Sequence, residues 1–126
     1  MLAVVVLLMA GAAGALMRFG VSRALPVAAH PVSVPRAVFI VNVVGSFIAG
    51  LALGLAQTHV ISAEVGFIVI SGLCGGLTTF STFAVETIEL MMQGRARVAM
   101  RSLALNLILG TGAAFLGYLP TLAFGR

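Results

Sequence analysis

The sequence predicts an all-α integral membrane protein with four transmembrane helices, the third broken near its middle. Three observations carry that prediction. Hydrophobic residues make up 61% of the 126 residues and charged residues only 8%, with a mean hydropathy of +1.21. A helix needs about 20 apolar residues to cross the hydrocarbon, so a chain of this length holds four spans as one membrane domain, 1–126, with no room for a soluble one. Within the third apolar run stands Gly75-Gly76-Leu77-Thr78-Thr79-Phe80-Ser81-Thr82-Phe83. Two glycines and a set of hydroxyls at that depth suit an irregular backbone, which a bilayer tolerates only where protein or a water-filled cavity satisfies its polar groups. A helix broken at the midplane is a default ion or substrate site.

The first span covers about residues 2–24. It lacks a basic leader, and its apolar character continues past Arg18 to Leu25, so it reads as a retained span rather than a cleaved signal. Pro26, Pro31 and Pro35 punctuate the connection that follows. The second span covers about 36–57, and a short turn runs from Thr58 to Ala63. Ser62 is a candidate cap for the third segment, although Ala63-Glu64-Val65 completes no capping box. The third segment, about 64–93, would measure about 45 Å as a continuous helix, against about 30 Å of hydrocarbon. A break at 75–79 divides it into two half-helices. Gly94 and Arg95 to Arg97 form the next turn. The fourth span covers about 98–124, loosened by Gly110, Gly112 and Gly117 and ended near Pro120.

Ser46, Gly50 and Gly54 recur every fourth residue and share one helix face, as do Gly110 and Ala114; such faces let another backbone approach closely. They fit packing within one subunit or a subunit interface. Four short spans make a thin bundle, so a pore calls for a second subunit. Lysine is absent, and the net charge of +4 comes from arginine. The arginines form no basic face with interleaved aromatics, which excludes nucleic acid as a partner. They sit at the ends of apolar segments, where arginine sets orientation. Six of the seven arginines, Arg18, Arg23, Arg36, Arg95, Arg97 and Arg101, fall on the side of the first and third connections, and Arg126 falls on the other. The positive-inside rule then puts those connections in the cytoplasm and both termini outside. Cys74 reads as a small packing residue beside Gly75, and His30 and His59 as solvated loop residues.

Phe80 and Phe83 lie on one face of the second half-helix. Aromatic rings have positive edges, which suit a small, partly dehydrated anion without holding it too tightly. Ordinary core or lipid packing explains most such pairs; the hydroxyls of Thr79, Ser81 and Thr82 around this one favour the functional reading. The half-helix starts with unpaired amides and a positive dipole end. The preceding half-helix ends with carbonyls near Cys74 to Leu77 that suit a cation such as sodium. Asn42 lies in an apolar run, and a buried amide is costly unless hydrogen-bonded. It therefore faces protein or a pore and offers an N–H donor to an anion. Asn106 in the fourth span invites the same argument. Glu86, two turns past the break, is an intramembrane carboxylate and so a functional candidate: a proton-coupled site, a residue on an ion pathway, or a carboxylate reaching the interface. Glu89 lies nearer the interface. Arg18 is placed to pair with one of these acids or to draw anions to a vestibule. No nucleophile–base pair, metal cluster or phosphate loop is present, which argues against an enzyme.

The nine residues Gly75 to Phe83, followed by Glu86-Thr87, resemble the signature of the Fluc-type (CrcB) fluoride channels. Gly14-Ala15-Leu16-Met17-Arg18-Phe19 resembles that family's first-span pattern, and Asn42-Val43-Val44-Gly45-Ser46-Phe47 its second-span asparagine motif. The resemblance covers essentially the whole chain, and its specificity lies in the third-span signature. It implies an antiparallel dimer of four-helix subunits, two fluoride pores, and passive, selective fluoride export. It also implies a central structural sodium held by the backbone carbonyls of Gly75 and Thr78. By position, Phe80 and Phe83 match the pore phenylalanines, Asn42 the pore asparagine, Ser81 and Thr82 the hydroxyl track, Glu86 the glutamate and Arg18 the vestibule arginine. Asn106 falls where the family often has Tyr or Asn. Gly110 falls where serine is common, so that hydroxyl is missing, and the altered pore or a partner must make up for it.

A chain inserted in both orientations needs nearly balanced arginines, and this one is biased. Some members of the family occur as paired, oppositely oriented homologues. The expected partners are therefore fluoride, the lipid of the cell membrane, and a second, oppositely oriented homologous subunit. The main alternative is a small four-span, proton-coupled exporter of cationic compounds using Glu86. Such a protein typically carries a first-span acid and aromatic cages; here the first span has no acid, and the chain has no Trp. A membrane interaction protein would explain the small-residue faces but not the hydroxyl–phenylalanine cluster.

Overall fold

The computed structural model of the chain describes residues 1–25 and 35–124. Pro26, His30 and Pro31 in the first connection, and Arg126, lie outside the described residues. Among those described, every regular element is a helix. Four stretches are long and apolar enough to cross a membrane: Leu2–Ala24, Arg36–Gln57, Ala63–Met92 and Ala96–Ala123. The first two are the uninterrupted helices α1 (Leu2–Ala24) and α2 (Arg36–Gln57).

The third stretch is composite. Helix α3, residues 63–77, opens as an α-helix over Ala63–Phe67, widens to a π-helix over Ile68–Cys74 and closes with a helical turn at Gly75–Leu77. Its first turn is capped by Ser62, whose Oγ accepts from the Val65 amide at 3.2 Å, so one side chain suffices without the reciprocal half of a capping box. Thr78 and Thr79 then take extended backbone, with φ/ψ of −81/159° and −149/121°. Helix α4 starts anew at Phe80–Met92. Gly94, at φ 73°, turns the chain through the left-handed region that glycine tolerates, and α5 runs over Ala96–Tyr118. Pro120 does not end the span: it sits in the first turn of a 3₁₀ segment, Leu119–Ala123, where its missing N–H is harmless.

Close backbone approach sorts these helices into two pairs. A Cβ added at Gly14 would overlap the Leu73 carbonyl, and one at Gly76 would overlap the Gly11 carbonyl, so α1 lies backbone to backbone on the end of α3. Likewise a Cβ at Gly50 would overlap the Ala114 carbonyl, and one at Gly117 the Phe47 carbonyl, which joins α2 to α5. The face carrying Gly50 and Gly54 is therefore spent on packing within the subunit, with Gly54 against Thr121. In lipid, where apolar surface gains nothing by leaving its solvent, such close packing is a main source of helix association. Helix α2 also touches α1 and the π-helical segment, and so holds the two pairs together. By contrast only 6% of the most apolar window of α1 is buried, leaving Met9, Leu16, Met17 and Phe19 for lipid or a second subunit.

Candidate functional site

The site is built around the two extended residues between α3 and α4. An α-helix closes each amide onto the carbonyl four residues back, so a continuous helix would pair Thr79 N–H with Gly75 O and Thr82 N–H with Thr78 O. Neither bond forms. The Thr79 amide donates instead to Asn42 Oδ1 on α2, at 2.9 Å. The Thr82 amide donates to the side-chain Oγ1 of Thr79, the N-cap of α4, at 3.2 Å. Two side chains thus take the two amide protons that would have closed on the carbonyls of Gly75 and Thr78. The Thr78 amide and hydroxyl both turn back to Cys74 O, at 2.9 and 2.8 Å, and end α3.

Asn42 makes three contacts. Besides accepting from the Thr79 amide, its Nδ2 donates to Thr79 O at 3.3 Å and to Asn106 Oδ1 at 3.2 Å. Asn106 in turn donates from Nδ2 to Ser102 O one turn earlier on α5, at 3.0 Å. The two carboxamides join α2, the break and α5 in one network, which meets the demand that a polar group at membrane depth be hydrogen-bonded. Through these bonds Asn42 faces protein, and it also lines a cleft.

That cleft has a volume of about 390 Å³ and is lined by Asn42, Ser46, Thr78, Thr79, Phe80, Phe83, Leu103, Asn106 and Leu107. It brings together four of the residues selected for the anion path, Asn42, Phe80, Phe83 and Asn106, together with Thr78, selected for its carbonyl. The rings of Phe80 and Phe83 stand 6.1 Å apart, tilted by 52°. Phe80 is 80% exposed. Gly110 packs beside Ser46, whose Oγ lies 3.6 Å from where a Cβ would be. Ser46 therefore brings a hydroxyl from α2 to the neighbourhood of the α5 position that lacks one.

A second cleft, of about 240 Å³, lies between α1, the start of α2 and the start of α4. Arg18, Ser22 and Thr82 line it, with Phe19 and Val41 among its apolar walls. Arg18 and Thr82 thus belong here and not with the phenylalanine rings. Ser81 and Glu86 line neither cleft. Ser81 Oγ lies 3.3 Å from Thr79 Oγ1, and Glu86 is half-buried on α4, three residues past Phe83 on the same helix face.

Thr79 is the residue that sequence reasoning undervalued. It is 6% exposed, lines both clefts and caps α4. Read from sequence alone it was one hydroxyl among several. The available signal was its position, a threonine just before a new helical run, which is where an N-cap belongs.

Residues 5–118 match the family model described as CrcB-like protein, Camphor Resistance (CrcB). A protein of Renibacterium salmoninarum is 46% identical over 116 residues, covering 86% of this chain and 90% of that one. One of Parabacteroides distasonis is 38% identical over 117 residues, covering 93% and 91%. One of Aeromonas salmonicida is 41% identical over 110 residues, covering 85% and 86%. All three relatives carry the name fluoride-specific ion channel FluC.

Proposed function

We propose, since the chain belongs to the CrcB family, that this multi-pass membrane protein is a fluoride-selective channel that lets fluoride leave the cytoplasm down its gradient. The observation that carries the reading is the larger cleft, where an amide and two aromatic rings meet beside the break. A small anion needs N–H and ring-edge partners strong enough to replace part of its water, yet weak enough to release it. The Asn42 Nδ2 proton now directed at Asn106 Oδ1 is such a donor, and an anion in the cleft competes with that oxygen for it. Ser81 and Thr82 extend a hydroxyl track along the first turn of α4, Glu86 lies beyond Phe83 on the same face, and Arg18 draws anions into the smaller cleft. Glu86 lies outside both clefts, so the reading as a proton-coupled exporter gains no support.

The functional unit we propose is an antiparallel dimer with two pores at the interface. A residue as exposed as Phe80, and the exposed face of α1, are surfaces a second subunit would cover. A structural sodium at the dimer centre suits the chemistry of the donors. It would be held by the carbonyls of Gly75 and Thr78, the two whose helical amides are captured elsewhere. The arginine bias supports one orientation in the cell membrane, termini outside, with an oppositely oriented homologous subunit as partner. A reporter fused after Arg126 is expected to be active outside the cytoplasm; activity confined to the cytoplasm refutes that orientation.

The decisive test is fluoride efflux from liposomes read with a fluoride electrode. Fast fluoride leak with little chloride leak is expected when both orientations are supplied. Equal chloride permeation defeats the selectivity claim, and robust flux from this chain alone, inserted both ways, defeats the need for a partner.

A further inference from the structure

We infer that Thr79 is a positioning residue that couples the anion clefts to the cation seat, a role that rests on the function proposed above. The argument begins with a competition for one proton. The Thr82 amide has two acceptors within reach of helical geometry: the Thr78 carbonyl, which would begin α4 one residue earlier, and the Thr79 hydroxyl, which begins it at Phe80. The hydroxyl wins, at 3.2 Å. Its own proton is donated to Thr82 Oγ1 at 3.1 Å, so the same side chain meets both the amide and the hydroxyl of Thr82. The Thr78 carbonyl is left to point elsewhere. A cap that is lost is commonly replaced by a backbone carbonyl or by water, and the carbonyl that helical register pairs with the Thr82 amide is the one a cation needs.

The same side chain stands at the boundary of both clefts. Thr79 lines the larger one beside Asn42 and the smaller one beside Arg18 and Thr82. Its amide and carbonyl are both held by Asn42. Any movement of Thr79 in response to an ion in either cleft therefore moves the carbonyl next to it. Thr79 neither touches the cation nor needs to: it decides whether the Thr78 oxygen is free.

The test uses Thr79→Val, which keeps the β-branched shape and removes the acceptor, and Thr79→Ser, which keeps the acceptor. Each is measured for thermal unfolding in detergent with sodium chloride and with N-methylglucamine chloride, and for fluoride efflux across the same sodium range. The native protein and Thr79→Ser are expected to be protected by sodium over the same concentration range. Thr79→Val should need at least about tenfold more sodium for the same protection, as expected when a site loses a ligand worth about 1.4 kcal/mol. Its flux should recover at high sodium. A native-like sodium response in Thr79→Val overturns the inference. If that variant is not recovered folded, Thr79→Cys, a weak acceptor of similar size, decides the same point. Absence of sodium protection in the native protein overturns the sodium seat and this inference together, whereas absence of fluoride leak with sodium protection intact overturns only the channel reading.

Discussion

Replacing Phe80 or Phe83 by Ile is expected to lower fluoride efflux by about 100-fold while leaving the fold intact, a barrier increase of about 3 kcal/mol. Both rings line the larger cleft, and they stand tilted by 52° rather than stacked. Isoleucine fills comparable space and is at home in lipid, so packing survives. What disappears is the electropositive ring edge, for which an aliphatic side chain has no counterpart. The exposed Phe80 is a sharper probe than Phe83, because little of its surface supports the subunit itself. The measurement is initial efflux from liposomes at matched protein density, with size-exclusion profile and melting temperature as controls for folding. Native flux from either variant would show that the rings are lipid-facing packing and no more.

Asn42 is expected to show the second large effect, and on two readouts at once. Asn42→Leu removes the acceptor of the Thr79 amide and both donated bonds to Thr79 O and Asn106 Oδ1. A stranded buried amide costs about 1–3 kcal/mol, so the melting temperature should fall and flux should be lost. Asn42→Asp separates the two roles. A carboxylate oxygen still accepts from Thr79 N–H and keeps that amide off Gly75 O. It offers no N–H to an anion, and its charge repels one. Flux should be abolished in both variants, and the melting temperature should fall in both, because the second Asp oxygen would face the acceptor oxygens of Thr79 and Asn106 with no proton between them. Fluoride conduction at the native rate by either variant would remove Asn42 from the pathway.

Much of this arrangement is legible in the sequence because a bilayer reads sequence locally. Hydropathy marks four apolar runs, and four helices long and apolar enough to cross a membrane stand over them, since about 20 apolar residues cross the hydrocarbon wherever they stand. The misplacements are small and have local causes. Helix α5 begins at Ala96, with the Arg95 carbonyl accepting from the Ala99 amide at 3.1 Å and no side-chain cap, and Pro120 falls in a turn type that tolerates it. The π-helix over Ile68–Cys74 left no trace in composition. A wider turn changes which carbonyl each amide meets without changing which residues are apolar. The small-residue faces were visible as faces but not as partners: the spacing of Gly50 and Gly54 says that something approaches closely, and only the fold says that it is α5.

By itself, then, the chain's order of residues determined the number of spans, the asymmetry of charge and the cluster of glycines, hydroxyls and rings in the third span, each a property of neighbours along the backbone. The tertiary structure decided which groups in that cluster are satisfied and which are free. Asn42 reaches Thr79 across 37 positions and Asn106 across 64, and it is those contacts that withdraw an amide from Gly75 and gather four distant residues about one cleft. Hydrogen-bond partners separated by whole helices are set by how the helices pack, and no local pattern records them.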